Sequence, residues 1–113
     1  MPNSDKVYLD DILESIRKIE KYTSGFSYKE FSENELVVDG ITRNLEVIGE
    51  AVKSLSADSK KAHSAIEWKK IAGLRDILIH EYSGVNLTII WDVVLNKIPE
   101  LKKAVSEMVK GIE

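Results

Sequence analysis

The chain has no cysteine. Disulfide scaffolds, thiolate zinc sites and cysteine nucleophiles are therefore excluded, and nothing conflicts with a reducing compartment. It has two prolines only, Pro2 and Pro99, so little interrupts a helix. No apolar run approaches the ~18 residues of a membrane span. The opening Met1-Pro2-Asn3-Ser4-Asp5 lacks a charged-then-apolar signal pattern. A cytoplasmic location without a membrane partner is expected. Positive charge is not in excess either: 16 basic residues face 19 acidic ones, a net charge of −3. A protein that coats DNA or RNA non-specifically is disfavoured, because such binding rests on phosphate neutralisation. A nuclease with a small local basic site is not excluded. Internal repeats and low-complexity segments are absent.

What is present is a soluble composition, 43% hydrophobic and 31% charged over 113 residues. That is the size of one domain, and residues 1–113 are read as a single one. Its core is modest, and such a short chain often gains by oligomerising. Apolar residues recur at helical spacing. Val7, Leu9, Ile12, Leu13, Ile16 and Ile19 form the first stripe, with Ser4 as its N-cap and Gly25 at its end. Residues 24–32 read as a connection, and Ser32 with Glu35 as a capping box. The second stripe holds Leu36, Val37, Ile41, Leu45, Ile48, Ala51, Val52 and Leu55, with Gly40 and Gly49 as points of close helix approach. Residues 56–63 read as a polar loop, and Ser64 with Glu67 as a second capping box. The third helix carries Ile66, Trp68, Ile71, Leu74, Ile77 and Leu78, and frays near Glu81–Gly84. Asn86 caps a fourth helix running through Leu95. Pro99 suits the first turn of a fifth, residues 98–111, frayed at its end. The expected fold is an all-α bundle of about five helices.

Polar chemistry concentrates between Arg75 and Tyr82. A guanidinium fork matches a phosphate, and a histidine exchanges protons near neutral pH. Metal-free phosphodiester cleavage needs those two capacities. Five helical residues turn about 500°, which sets Arg75 and His80 ~140° and ~7.5 Å apart. One straight helix does not join them into a tight pair. Two copies of the third helix about a two-fold axis bring two of each into one cleft, so a homodimer is expected.

Taken singly, these residues have plainer readings: Arg75 as a surface ion-pair residue, His80 at a helix dipole, Tyr82 at the core edge. His63 reads as a solvated loop residue, Trp68 and Trp91 as core or interface, and Lys102, Lys103 and Lys110 as a solvated face. Asp10, Asp11 and Glu14 lie on the polar side of the first helix without a partner cluster, so no metal or cofactor is expected. Asp39, Arg43, Glu46 and Glu50 follow one another at intrahelical pairing distances.

The order Arg75, His80, Tyr82 spells Arg-x-x-x-x-His-x-Tyr and resembles the signature of the HepT-like branch of the HEPN superfamily. The flanks agree: Arg43-Asn44-Leu45-Glu46-Val47-Ile48-Gly49-Glu50-Ala51, Trp68-Lys69-Lys70-Ile71-Ala72-Gly73-Leu74-Arg75-Asp76, Ile90-Trp91-Asp92-Val93-Val94 and Ile98-Pro99-Glu100-Leu101. The resemblance spans roughly residues 5–108 and keeps all three signature positions. It implies an all-α, HEPN-like dimer with the motif at the cleft between subunits. Its active members are metal-independent endoribonuclease toxins that use the RNA 2′-hydroxyl as internal nucleophile. By the same resemblance, Arg75 binds phosphate, His80 handles the proton and Asp76 orients Arg75. Arg43 faces the cleft as a further phosphate contact. The implied partner is an MntA-like nucleotidyltransferase antitoxin that transfers AMP to Tyr82. A second possibility is a catalytically silent module that holds a nucleotide or docks the nucleotidyltransferase, and a third, weaker one is a purely structural helical dimer.

Overall fold

The computed structural model describes residues 4–80 and 86–112, apart from the side chains of Ile77, Ile79 and His80. Seven α-helices are present among them: α1 (Asp5–Thr23), α2 (Tyr28–Glu33), α3 (Glu35–Ser54), α4 (Ala57–Ala62), α5 (Trp68–His80), α6 (Leu87–Asp92) and α7 (Ile98–Ile112), with a π-helical turn at Val93–Lys97. The described residues form no strand, and the expected all-α bundle is what the chain builds. No helix of the described residues is long and apolar enough to cross a membrane.

α3 is the hub. It packs against α1 on one side and α5 on the other, and α1 packs in turn against α7. The helical period explains the arrangement. Leu9, Ile12, Ile16 and Ile19 put one apolar stripe of α1 in the core; Ile41, Leu45, Ile48 and Val52 do the same for α3, and Leu101, Val105 and Met108 for α7. Removing such stripes from water is the main driving force for the bundle. Four apolar residues of the expected helices stay outside it, among them Ile89 and Leu95 of the expected fourth. Val7 is 63% exposed, Leu36 82%, Ile89 57% and Leu95 54%. Each is at the margin of its stripe, where the helix surface turns toward solvent.

The caps differ from expectation for local reasons. Ser4 has helical backbone angles and its side chain makes no capping bond. Gly25 reverses the chain after α1 at φ +75°, a conformation glycine adopts without Cβ strain. The capping box that forms is Ser27 with Glu30, and it opens α2 inside the supposed connection. Ser32 falls within that helix and donates to the Lys29 carbonyl at 3.0 Å. Asn34 takes over as the cap of α3, accepting from the Val37 N–H at 3.1 Å. The supposed loop 56–63 contains α4, capped by Ser56; six residues that bury only Ser59 show no apolar period. At the start of α5, Glu67 directly precedes the helix, and its carboxylate pairs with Lys70 at 2.7 Å and Lys97 at 3.2 Å. The Ser64 box is thereby displaced. The expected fraying at 81–84 lies outside the described residues.

The fourth and fifth expected helices are one helical path. Asn86 caps it as anticipated, accepting from the Thr88 N–H. Near Pro99 the path widens: the Ile98 N–H reaches the Val93 carbonyl, a π-type bond. Pro99 brings no N–H and its ring crowds the preceding turn. A π turn just before it absorbs that mismatch without breaking the helix. α7 then runs to Ile112, farther than the fraying expected there. Its Met108 is fully buried, which anchors this last stretch.

Candidate active site on helices α3 and α5

The site begins with a glycine. A Cβ at position 49 would stand 2.9 Å from Arg75 Cβ and 3.2 Å from both the Arg75 nitrogen and the Ile71 carbonyl. Gly49 therefore lets α3 and α5 touch at Arg75, the close approach its position in α3 suggested. Gly40 does something different, giving the Tyr22 ring a seat at 3.4 Å.

Arg75 leaves α5 toward α3 with about a third of its side chain exposed. Its Nε lies 2.6 Å from Glu50 Oε2 in an ion pair, and its Nη1 donates to Asp76 Oδ1 at 3.2 Å. The Nη2 end of the fork has no partner among the described residues. Arg75 opens onto a cavity of about 310 Å³ between α1, α3 and α5, lined also by Tyr8, Asp11, Arg43, Glu46 and Glu50. Arg43 is 74% exposed and lies 3.7 Å from Glu46. Two guanidinium groups thus face one hollow, with three carboxylates around them.

Of the residues singled out from the sequence, Arg75, Asp76 and Arg43 are brought to this neighbourhood. His80 lies on α5, five positions after Arg75; its side chain, and all of Tyr82, lie outside the described residues. Asp11 joins the cavity wall, whereas Asp10 pairs with Lys6 at 2.9 Å and Glu14 with Arg17 at 2.7 Å. The described residues contain no cluster of three or more histidines, aspartates and glutamates placed to hold a metal.

Glu50 is what sequence reasoning missed. Its spacing from Glu46 and Arg43 suggested intrahelical pairing, but it turns across to Arg75. A signal was available: α3 carries one arginine for several carboxylates, and Glu50 directly follows a glycine that makes room for another helix. The tryptophans are structural, as expected. The buried Trp68 ring donates through Nε1 to the Lys60 and His63 carbonyls, each at 3.0 Å, so the His63 backbone is part of a fixed corner rather than a free loop. Trp91 stacks on the buried Phe31 at 4.8 Å between centroids. Lys102 belongs to the solvated face and pairs with Glu20 at 3.0 Å.

An all-α bundle that presents an arginine fork from a central helix pair, with a histidine farther along the same helix, is a HEPN-like domain. The chain belongs to the HepT-like ribonuclease family, whose model, described as Ribonuclease HepT-like, matches residues 12–108. It is 44% identical over 103 residues to a protein of Caldanaerobacter subterraneus subsp. tengcongensis named a putative RNase, covering 91% of this chain and 92% of that one. A protein of Methanocaldococcus jannaschii, also named a putative RNase, is 43% identical over 114 residues, covering 100% and 94%. A protein of Thermococcus cleftensis named a probable ribonuclease HepT is 40% identical over 102 residues, covering 90% and 93%. No solved structure matches the chain.

Proposed function

We propose that this chain is a metal-independent endoribonuclease toxin that works as a homodimer. The observation that carries the reading is Arg75: a guanidinium fixed at the α3–α5 contact, opening on the cavity that Arg43 shares. Family membership supplies the substrate class, RNA. In the proposed reaction the RNA 2′-oxygen attacks the adjacent phosphorus and gives its proton to a neutral His80. The bond from phosphorus to the 5′-oxygen breaks, and that oxygen takes a proton from a protonated histidine, the second copy's His80. The products are a 2′,3′-cyclic phosphate and a 5′-hydroxyl end. Arg75 donates hydrogen bonds to the phosphoryl oxygens, where negative charge grows, and Asp76 helps hold its fork.

Helix geometry supports the dimer: Arg75 and His80 are ~140° apart around one α-helix, and a second α5 across the proposed interface would supply the other half. An MntA-like nucleotidyltransferase antitoxin is the proposed partner. AMP on Tyr82 adds bulk and phosphate charge next to the motif, which opposes RNA binding.

The test is RNA cleavage in EDTA by protein whose mass shows no AMP, beside Arg75→Ala and His80→Ala. Cleavage by the wild type alone is expected. The carboxylates around the cavity favour one alternative, a catalytically silent module that binds a nucleotide or the nucleotidyltransferase, and no cleavage by the unmodified wild type would overturn the enzyme reading in its favour. A monomer with full activity would refute the shared cleft. Incubation with the antitoxin and ATP is expected to add one AMP, and AMP retained by Tyr82→Phe would refute that site.

A further inference from the structure

We propose that Glu50 is a positioning residue for the RNA-cleaving reaction, acting through Arg75. The inference rests on the reading of Arg75 as the phosphate-binding group and deepens it. A guanidinium grips a phosphate either side-on, through Nε and an Nη, or end-on, through its two Nη groups. The Glu50 carboxylate sits beside Nε in an ion pair at 2.6 Å, and Asp76 accepts from Nη1 at 3.2 Å. The Glu50 carboxylate crowds the side-on approach, and among the described residues the Nη2 end has no partner and is the end proposed for the substrate. Gly49 brings the root of Arg75 against α3, so both ends of the side chain are fixed by the same two residues of one helix, Gly49 at the root and Glu50 at the fork.

The charge balance has a consequence. Two carboxylates, Glu50 and Asp76, flank the single Arg75 cation. The local field therefore does little to draw RNA into the ground-state complex. The fork contributes through aimed N–H groups, which matter most when charge has moved onto the phosphoryl oxygens. Removing the Glu50 carboxylate frees the fork to swing, and also removes a negative charge from an RNA site. Rate and affinity are then expected to move in different directions.

The experiment uses full-length unmodified protein in EDTA and a single-stranded RNA carrying a fluorophore and a quencher. Cleavage is followed at saturating enzyme, and affinity is measured with the same RNA fully 2′-O-methylated, which lacks the nucleophile. Glu50→Ala is expected to cleave about a hundredfold more slowly while binding the methylated RNA as tightly as wild type or more tightly. Glu50→Gln keeps an oxygen on a side chain of the same length beside Nε, and is expected to recover at least about a tenth of the wild-type rate. Glu50 is 58% exposed, so both variants are expected to melt with the wild type, which checks that the loss is not unfolding. Wild-type cleavage by Glu50→Ala beside an inactive Arg75→Ala overturns the role of Glu50 and leaves that of Arg75 standing. Wild-type cleavage by Arg75→Ala overturns both. Equal losses in Glu50→Ala and Glu50→Gln, or a rate that falls only as far as RNA affinity falls, also overturn the positioning role.

Discussion

Asp5 and Glu50 both reach across the fold from one helix to another, and they do so in opposite surroundings. Asp5, at the first turn of α1, is 2% exposed and accepts only from neutral donors: the Ser56 N–H at 3.1 Å, the Ser56 hydroxyl at 2.8 Å and the Ser59 hydroxyl. It ties α1 to the start of α4. Glu50 is 58% exposed and meets a guanidinium on the wall of a cavity. A carboxylate buried and saturated by small neutral donors holds helices together, since leaving those donors unpaired is costly. A carboxylate left in partial contact with water beside a phosphate-matching cation adds little stability. What it can do is aim that cation.

Substitutions at four positions break or sharpen this contrast. Arg75→Lys has the largest expected effect, a loss of about a thousandfold in RNA cleavage, because an ammonium cannot serve Glu50, Asp76 and a phosphate from one plane; its melting temperature stays near wild type. Asp5→Ala should do the reverse, costing about 2 kcal/mol in urea denaturation by orphaning buried donors, with cleavage by the folded fraction unchanged. Asp5 also predicts a pH dependence. Burial pushes its carboxyl up, but the hydrogen bonds from Ser59 and Ser56 and the charge of Lys60 outweigh burial and hold it below the ordinary 3.8. A depressed folded-state value stabilises the fold above the unfolded value, and that stability drains away as pH falls through the folded one. The advantage of wild type over Asp5→Asn should thus be constant at neutral pH and shrink below about pH 4; an advantage that grew on acidification would contradict this account.

Gly49→Ala tests both properties together. The helix propensity gained is about 1 kcal/mol, but the new methyl meets Arg75 and the α5 backbone, and overpacking of this kind costs about 1–3 kcal/mol. A net loss near 1 kcal/mol and a cleavage rate down by more than tenfold are expected. Lys102→Ala is the smallest. Its pair with Glu20 is half exposed, and a melting shift of under about 1 °C with unchanged cleavage is expected.

The apolar period was legible wherever it ran for several turns. The stripes of α1, α3 and α7 need no tertiary information, because a helix must bury its apolar face somewhere. Short elements hid themselves. α2 and α4 are six residues each, too few for a period, and they are set by serine caps whose competition with neighbouring candidates depends on where the chain turns. Pro99 showed that something happens near residue 99, yet a helix start and a π turn before a continuing helix satisfy the same missing N–H. The candidate site was legible in part. Arg75 stood out by its chemistry, and Asp76 and Arg43 through the family resemblance. Glu50 did not, because its spacing from Glu46 and Arg43 fits pairing within α3, and the glycine before it hints at a neighbouring helix without saying which cation that helix brings.

The sequence by itself determined an all-α chain, the apolar faces of its long helices, and a polar motif whose spacing divides Arg75 from His80 on one helix. Those are consequences of local geometry: the helical repeat and the side chains present. Only the tertiary structure decided that Gly49 is the seat of Arg75, that Glu50 reaches across from α3 to join Asp76 at its fork, and that Asp5 locks α1 to α4. Each of these depends on which helices meet and at what height. That is settled by the packing of whole apolar faces, not by any short stretch of residues.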